Sequence, residues 1–550
     1  MRVADALAQI LVREGVELLI GYPVNPLIEA AAAAGIRPII VRQERTGIHM
    51  ADAMSRVTSG ERLGVFTMQS GPGAENSFGG VAQAFGDSVP ILVLPAGHDR
   101  RDMGIAQNFR AVEAYRPITK WADELRVSAT LPETMRRAFA QVRNGHPRPV
   151  LLEIPWDAYD DEIDPPDEYR RTVAARSAPD PAAIDAAIEV LATAQRPLLY
   201  AGQGVHYAQA WDRLRVLAEL LGMPVTTSLQ GKSAFPENHP LSLGSGGRTM
   251  SRALDTFVTE ADVVLGIGCS FTPTGYGIRW PADKRFIHAT ADPADLDQGV
   301  PADVGIVGDA ALVLDALIEC ATERFGASRA ERAPSIAARI RTVNAAWRFD
   351  WQTKLRSDEV PMTPYRVISD LAETVDVANT IITHDAGSPR DQLSPFWPST
   401  EPLSYIGWGK TTQLGYGLGL AMGAKLAHPD RLCINVMGDA AFGFTGLDFE
   451  TAVRERIPIL TVVLNNFSMA IELPIMPIST ERYRSTDIGG DCAAIARALG
   501  GHGERVTRPA DIVPAIRRAV AATQDGTPAL LEFITSKELA ISMPGATTPD

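Results

Sequence analysis

Two segments near the C-terminal end of the chain carry oxygen ligands that suit a hard cation. Asp439 follows the apolar run 432–437, Asn466 follows the apolar run 459–464, and a helical stretch separates them. In a right-handed βαβ unit the carboxyl ends of such strands meet at the edge where α/β proteins bind ligands. An Asp and an Asn there, with a nearby carbonyl, would supply the protein half of a Mg²⁺ site. Small neighbours would let backbone N–H groups approach an anion: Gly438, Ala440 and Ala441. The pattern by itself fits an ordinary strand-end turn equally well.

Glu44 is a second candidate, far upstream of this pair. It follows the short apolar run 39–41, which predicts a place at a strand end with a partly buried side chain. Arg42 and Arg45 flank it, so a solvated glutamate is the simpler interpretation of the residue in isolation. A carboxyl group in a dry site would instead suit proton exchange with a weakly basic ring nitrogen.

An α/β framework would be needed to bring these distant residues together. Short β-branched runs alternate with helical stretches along the whole chain, at 39–41, 63–68, 90–94, 150–154, 198–201, 263–267, 380–383, 432–437 and 459–464. Such alternation indicates parallel sheets, and we expect three doubly wound α/β domains. Linker-like stretches at 157–181 and 323–361 divide the chain into domains at 1–160, 183–322 and 362–540.

Composition limits the partners of the protein. The 550 residues hold 52 Lys and Arg against 66 Asp and Glu, a formal charge of −14, without a basic block. This charge argues against nucleic acid or an anionic membrane as the main partner. The four cysteines form no CxxC pair, and no apolar run approaches the ~18–20 residues of a membrane span. The N-terminus is typical of an amphipathic helix rather than a signal peptide, so we expect a cytoplasmic protein.

The spacing of the two C-terminal segments resembles the binding motif for thiamine diphosphate (ThDP), Gly-Asp-Gly followed after 24–27 residues by Asn-Asn. Here 438–440 and 465–466 enclose 24 residues, with Ala in place of the third-position Gly. The resemblance implies that Asp439 and Asn466 bind Mg²⁺ through their side chains and Ser468 through its carbonyl. It also implies cofactor contacts at Gly438, Ala440, Ala441 and Met469.

The stretch 41–53 is similar to the corresponding segment of the acetolactate-synthase-like ThDP enzymes. In that family the glutamate hydrogen-bonds the aminopyrimidine ring and promotes removal of the thiazolium C2 proton, which implies this role for Glu44. The turn 67–76 is also similar to the family's Thr-Ser-Gly-Pro-Gly-Ala-Thr-Asn turn. Gln107 aligns with the Gln of an active-site Phe-Gln-Glu segment, where Ala106 replaces the Phe. The smaller residue implies a differently shaped acceptor pocket.

The segment 407–417 resembles the part of the family that contacts the aminopyrimidine. Leu414 aligns with the bulky apolar residue that holds ThDP in its V shape, although plain core packing explains a Leu equally well. The resemblance implies that the Thr412 carbonyl meets the 4′-amino group, and that Gly387 and Ser388 belong to a second diphosphate loop.

Two more residues bear on the type of reaction. Glu472 lies six residues after Asn466, where decarboxylases of the pyruvate decarboxylase kind carry a catalytic Glu, and Asn25 lies where they carry an Asp. Glu472 could equally form a structural salt bridge. The paired His motif of those decarboxylases is absent. These two residues favour decarboxylation or lysis, whereas the acetolactate-synthase-like motifs favour carboligation.

The middle of the chain gives weaker signals. Its glycine turns at 202–204 and 266–268 lack an intact GxGxxG fingerprint, and Cys269 stands where nucleotide-binding family members commonly have Arg. We therefore expect a central domain of the family's fold without FAD or ADP.

The resemblance as a whole implies a ThDP- and Mg²⁺-dependent enzyme that makes or breaks a carbon–carbon bond next to a carbonyl. Its substrate would be a small 2-oxo acid, aldehyde or acyl-CoA. A 2-hydroxyacyl-CoA lyase, a catalytically silent regulatory homologue and a nicotinamide oxidoreductase are alternatives. In the family, Glu44 of one subunit would meet Asp439 and Asn466 of another, so we expect a homodimer or homotetramer.

Overall fold

The protein, described here by a computed structural model for residues 1–543 and 545, contains three parallel sheets of six strands each. Helices alternate with the strands, which confirms the predicted α/β class. All nine predicted strands are present, each within three residues of the predicted bounds. None of the helices within the described residues combines the length and the apolar composition needed to span a bilayer.

The first sheet lies in the N-terminal part of the chain. Its strands are β1 (Leu18–Tyr22), β2 (Arg37–Ile40), β3 (Gly64–Met68), β4 (Ile91–Gly97), β5 (Trp121–Glu124) and β6 (Val150–Pro155). Its helices are α1 (Val3–Arg13), α2 (Asn25–Ala33), α3 (Glu44–Arg56), α4 (Pro72–Gly86), α5 (Ala111–Tyr115) and α6 (Leu131–Arg143). The strand order is β2-β1-β3-β4-β6-β5.

The central sheet has the order β12-β11-β10-β7-β8-β9, which is the doubly wound order of dinucleotide-binding folds. Its strands are β7 (Pro197–Ala201), β8 (Val225–Thr227), β9 (Ser242–Ser245), β10 (Val263–Ile267), β11 (Arg285–Thr290) and β12 (Val304–Val307). Its helices are α7 (Pro181–Thr193), α8 (Gly204–Tyr207), α9 (Trp211–Leu221), α10 (Arg252–Glu260) and α11 (Ala310–Phe325). Two helices then lead to the third sheet, α12 (Ala333–Asp350) and α13 (Gln352–Leu355).

The third sheet repeats the topology of the first, in the order β14-β13-β15-β16-β18-β17. Its strands are β13 (Thr380–His384), β14 (Tyr405–Ile406), β15 (Leu432–Gly438), β16 (Leu460–Asn465), β17 (His502–Val506) and β18 (Ala529–Ile534). Its helices are α14 (Pro364–Thr374), α15 (Ser388–Leu393), α16 (Tyr416–Ala427), α17 (Asp439–Thr445), α18 (Phe449–Arg454), α19 (Pro477–Tyr483), α20 (Cys492–Ala498) and α21 (Ile512–Gln524). The connection from β15 to β16 is thus two helices, not the single helix that the sequence suggested.

Helices α3 and α16 join the first and third sheets within one chain. Glycines on α16 allow the close approach, because a Cβ at Gly419 would lie 2.4 Å from the His49 Cβ and one at Gly423 would lie 2.1 Å from the Met50 carbonyl oxygen. Beneath them the buried Arg56 donates to Asp52 at 2.6 Å and to the carbonyl of Gly407 at 3.0 Å. This contact ties the end of α3 to the segment before α16.

Gly423→Ala is expected to destabilise the protein by about 1–3 kcal/mol, because the new methyl group must push apart two packed backbones. A lowered thermal unfolding midpoint would show it. Gly443→Ala is the matched control, since Gly443 also lies in a helix and a Cβ there meets no atom within 4 Å. Equal midpoints for the two variants would contradict the close packing.

Candidate active site

The carboxyl ends of β15 and β16 bring the predicted magnesium ligands together. Gly438 pairs with Leu464 in the parallel register of these strands, so Asp439 and Asn466 follow neighbouring strands. Asp439 is the first residue of α17 and is 7% exposed. Phe467, with φ of +55°, turns the chain so that the Ser468 N–H donates to the Asn466 side-chain oxygen at 2.9 Å.

The charge of Asp439 has no protein counter-ion in the described part of the chain. Burial raises the pKa of Asp439 to about 6, against the opposing effect of backbone N–H groups that include those of Phe467 and Ser468. Its Oδ2 atom is buried without a hydrogen-bond partner, as is the hydroxyl of Ser468. A buried carboxylate oxygen that lacks a partner is costly unless a cation meets it. These oxygen groups therefore fit Mg²⁺, which prefers such ligands.

A buried network holds the turn after β16, and the sequence analysis did not identify its acidic member. The Asn465 amide donates to Glu532 Oε1 at 2.6 Å, and Arg505 donates to both oxygens of Glu532, at 2.9 and 3.0 Å. Glu532 is fully buried. Its place on β18, the neighbour of β16, is the signal that could have suggested this support for Asn466.

Glu44 begins α3, four residues after β2 ends, and is 4% exposed. Its Oε2 accepts a hydrogen bond from the Asn76 amide at 3.1 Å. The first turn of α4 packs close to it, because a Cβ on Gly73 would lie 3.4 Å from Glu44 Oε1. Within the described residues no cationic side chain pairs with Glu44. The structure thus excludes the solvated glutamate that was the simpler interpretation of this residue in isolation.

Asp385 organises the two loops around the predicted pyrimidine and diphosphate ends, and sequence reasoning missed it. This fully buried carboxylate accepts hydrogen bonds from the N–H groups of Ala386 at 2.8 Å and of Gly415 and Gly417 at 2.9 Å. Burial raises the pKa of Asp385 to about 6, against these three hydrogen bonds. An acidic residue directly after a fully buried strand is the signal that could have identified it.

The remaining predicted cofactor residues lie on these loops. Gly387 has φ of +84°, a conformation that favours glycine, and Ser388 then starts α15. Leu414 is half-buried and packs between the core around α3 and α16 and the core behind α17. Thr412 and Met469 are also half-buried. Leu414 is therefore only partly a core residue and presents part of its side chain outward.

Asp385→Asn tests this organisation. An Asn amide would place a donor against one of the three N–H groups, so we expect at least a tenfold higher ThDP concentration for half-maximal activity.

Lowering the pH should also weaken ThDP binding through Asp385. The pKa of Asp385 in the folded protein lies above its ordinary value of 3.8, so below pH 6 the folded protein takes up a proton that the unfolded chain takes up only near pH 4. Protonation of Asp385 therefore stabilises the folded protein as the pH falls, but the loop N–H groups lose a hydrogen-bond acceptor. Activity at limiting ThDP should fall below pH 6 in the wild type, and the Asn variant should show a shallower fall, because only the protonation of Asp439 remains to weaken cofactor binding.

Three predicted residues are not joined to the Asp439 end by a hydrogen bond or ion pair within the described chain. Gln107 is exposed in the loop after β4, and Asn25 is exposed at the first position of α2. Glu472 is half-buried in a short 3₁₀ turn at 470–472. Glu44 is likewise separate, although its neighbour Arg45 lines a cleft of about 500 Å³ together with α17. The roles predicted for these residues stay predictions.

Family models now place this geometry in a class. The N-terminal TPP binding domain of thiamine pyrophosphate enzymes matches residues 1–116, the central domain matches 184–317 and the C-terminal TPP binding domain matches 385–533. The chain belongs to the ThDP-dependent enzymes, and its motifs and relatives make it acetolactate-synthase-like.

Curated relatives cover nearly the whole chain. A probable acetolactate synthase large subunit from Methanocaldococcus jannaschii is 31% identical over 570 residues, 99% of this chain and 93% of the relative. A glyoxylate carboligase from Escherichia coli O157:H7 is 29% identical over 99% of this chain and 94% of its own length. A sulfoacetaldehyde acetyltransferase from Castellaniella defragrans is 29% identical over 98% of this chain and 94% of its own length.

Proposed function

We propose that this protein is a ThDP- and Mg²⁺-dependent carboligase that joins a small 2-oxo acid donor to a second carbonyl compound. The observation that carries the proposal is the buried Asp439 carboxylate oxygen without a partner, at the strand ends where Asn466 and Ser468 also lie. The names acetolactate synthase and glyoxylate carboligase among the relatives favour carboligation over lysis.

Asp439, Asn466 and Ser468 would hold the metal, and the backbone at Gly438, Ala440 and Ala441 would face the diphosphate. The half-buried Leu414 would support the cofactor between the pyrimidine and diphosphate ends of ThDP. Bound ThDP supplies a carbon nucleophile for the substrate carbonyl and a place for the electron pair of the broken bond.

Glu44 would exchange a proton with the aminopyrimidine. Its carboxyl group suits the task because it is buried and, among the described residues, is met by one amide donor and by no cationic side chain. A group that both takes and returns a proton needs this freedom. The half-buried Glu472 is the second acid or base that we propose, next to the carbonyl of the acceptor.

A second copy of the chain would complete the site. Several large apolar side chains that follow Asp439 or Asn466 in the sequence are more than one-third exposed: Phe444, Leu447, Phe467, Ile475, Ile478 and Tyr483. Exposed apolar residues in such number are typical of a surface that another protein covers. We propose a homodimer, or a tetramer of two dimers, in which Glu44 meets the partner's cofactor.

Proton NMR of the products tests the proposed reaction. Protein with ThDP and Mg²⁺ is given pyruvate, glyoxylate, longer 2-oxo acids or a 2-hydroxyacyl-CoA, each alone and with an aldehyde acceptor. New ketol signals are the expected result. Aldehyde as the sole product would replace the carboligase with a decarboxylase or, from the CoA ester, with a 2-hydroxyacyl-CoA lyase. ThDP binding without turnover of any donor would favour the silent homologue.

A further inference from the structure

A second group of side chains capable of chemistry, Ser88, His146 and Asp295, lies at the opposite edge of the first sheet. Ser88 and His146 precede β4 and β6, which are paired neighbours, so both lie at the amino ends of strands. Glu44 and the glycine turn of α4 instead follow the carboxyl ends of β2 and β3. Asp295 comes from the central domain, five residues after β11. The second group is therefore separate from the ThDP site.

His146 joins the other two side chains, through a hydrogen bond to Ser88 and a close ion-pair contact with Asp295. His146 Nε2 lies 2.8 Å from the Ser88 hydroxyl, and His146 Nδ1 lies 3.2 Å from Asp295 Oδ2. Because a carboxylate only accepts, Nδ1 carries the proton and Nε2 accepts from Ser88. Thr290 holds the carboxylate by donating to Asp295 Oδ2 at 2.8 Å, and Lys120 donates to the His146 carbonyl at 3.1 Å.

The backbone at Ser88 is also unusual. Its φ is +59°, in the left-handed region that non-glycine residues rarely adopt, on the turn between α4 and β4. A nucleophilic serine on a sharp, strained turn is a recurrent arrangement in hydrolases.

Ser88, His146 and Asp295 all line one cavity of about 570 Å³ between the first and central domains. This volume is sufficient for a small organic ligand. Lys410 and Arg176 also line it, and Lys410 donates to the Ser270 hydroxyl at 3.1 Å. Of the charged side chains in the wall, four are Lys or Arg and three are acidic, namely Glu61, Asp295 and Asp309. The excess of positive charge favours a ligand that carries a negative charge.

We propose that Ser88, His146 and Asp295 form a serine-nucleophile site that hydrolyses small anionic esters or thioesters. Ser88 Oγ bonds to the carbonyl carbon while its proton passes to His146 Nε2. The C–O or C–S bond then breaks, and the leaving alcohol or thiol takes that proton. Water, deprotonated by His146, attacks the acyl-serine, releases the carboxylic acid and restores Ser88, with no change in oxidation state.

A fluorophosphonate probe followed by peptide mass spectrometry tests the nucleophile on the full-length protein. We expect labelling of Ser88, and hydrolysis of the 4-nitrophenyl half-ester of succinic acid faster than of 4-nitrophenyl acetate. Ser88→Ala and Ser88→Gly should abolish both signals, the Gly variant without backbone strain. His146→Gln should slow hydrolysis by about 10²-fold or more, and Asp295→Asn should slow it also. Circular dichroism and thermal melting would show whether each variant is folded.

Ser335→Ala should keep wild-type labelling and hydrolysis, since Ser335 is exposed on α12, outside the cavity wall, and its hydroxyl donates to the Arg332 carbonyl at 2.8 Å. An unlabelled Ser88 in folded wild-type protein, or hydrolysis that survives in Ser88→Gly, would overturn the proposal. So would hydrolysis that requires added Zn²⁺ or Mn²⁺, because the His146, Asp292 and Asp295 ligand atoms lie within 4.8 Å of one another and would then act as a metal site.

Discussion

Glu44→Gln is expected to reduce ThDP-dependent turnover by about 10²–10⁴-fold, the usual contribution of a positioned acid or base. The amide keeps the shape of the side chain and can still meet Asn76, but it cannot exchange a proton. The Glu44 side chain is only 4% exposed, so water has little access to replace it in the proton exchange. Steady-state rates at saturating ThDP and Mg²⁺ measure the effect.

The matched control is Glu133→Gln, because Glu133 is also in the first turn of a helix but is exposed. We expect its rate to equal that of the wild type. A Glu44→Gln variant with wild-type turnover and an unchanged thermal midpoint would remove Glu44 from the reaction.

Asp439→Asn should have the second largest effect, through the metal. The change removes the negative charge of a buried carboxylate whose Oδ2 has no hydrogen-bond partner in residues 1–543. Mutation of a residue that only hydrogen-bonds a metal ligand typically lowers metal affinity by about 10–100-fold. Loss of the charge of a ligand itself should therefore lower the Mg²⁺ affinity by more than about 100-fold. Calorimetric titration of Mg²⁺ in the presence of ThDP measures it.

Asp430→Asn serves as the control, because Asp430 is exposed and lies two residues before the other end of the same strand, β15. Its Mg²⁺ affinity should match that of the wild type. Equal affinities for the Asp439 and Asp430 variants would contradict the assignment of the metal site.

Local pattern was sufficient to predict the α/β class and the position of each candidate strand. Buried parallel strands are short, continuous apolar runs, and Asp439 and Asn466 follow two of them directly. The ThDP motif and the family models agree on this part of the chain.

Contacts between distant segments could not be predicted in the same way. Asp385 binds N–H groups about 30 residues away, and Glu532 supports a turn on a neighbouring strand, so neither leaves a local periodic signal. The relation of Ser88 to His146 and Asp295 depends on how two domains pack. The start of α3 at Glu44 also differs from the expected strand end, because three connecting residues, 41–43, separate it from β2.

The proposed activation by Glu44 of ThDP held at the Asp439 site can be tested without knowledge of the substrate, through hydrogen–deuterium exchange at the C2 position of bound ThDP. Quenched-flow exchange in D₂O followed by proton NMR gives the rate. We predict fast exchange in wild-type protein with Mg²⁺, and exchange slowed by about 10²-fold or more in Glu44→Gln at saturating ThDP. Equal exchange rates in wild type and Glu44→Gln, with ThDP bound to both, would contradict the account.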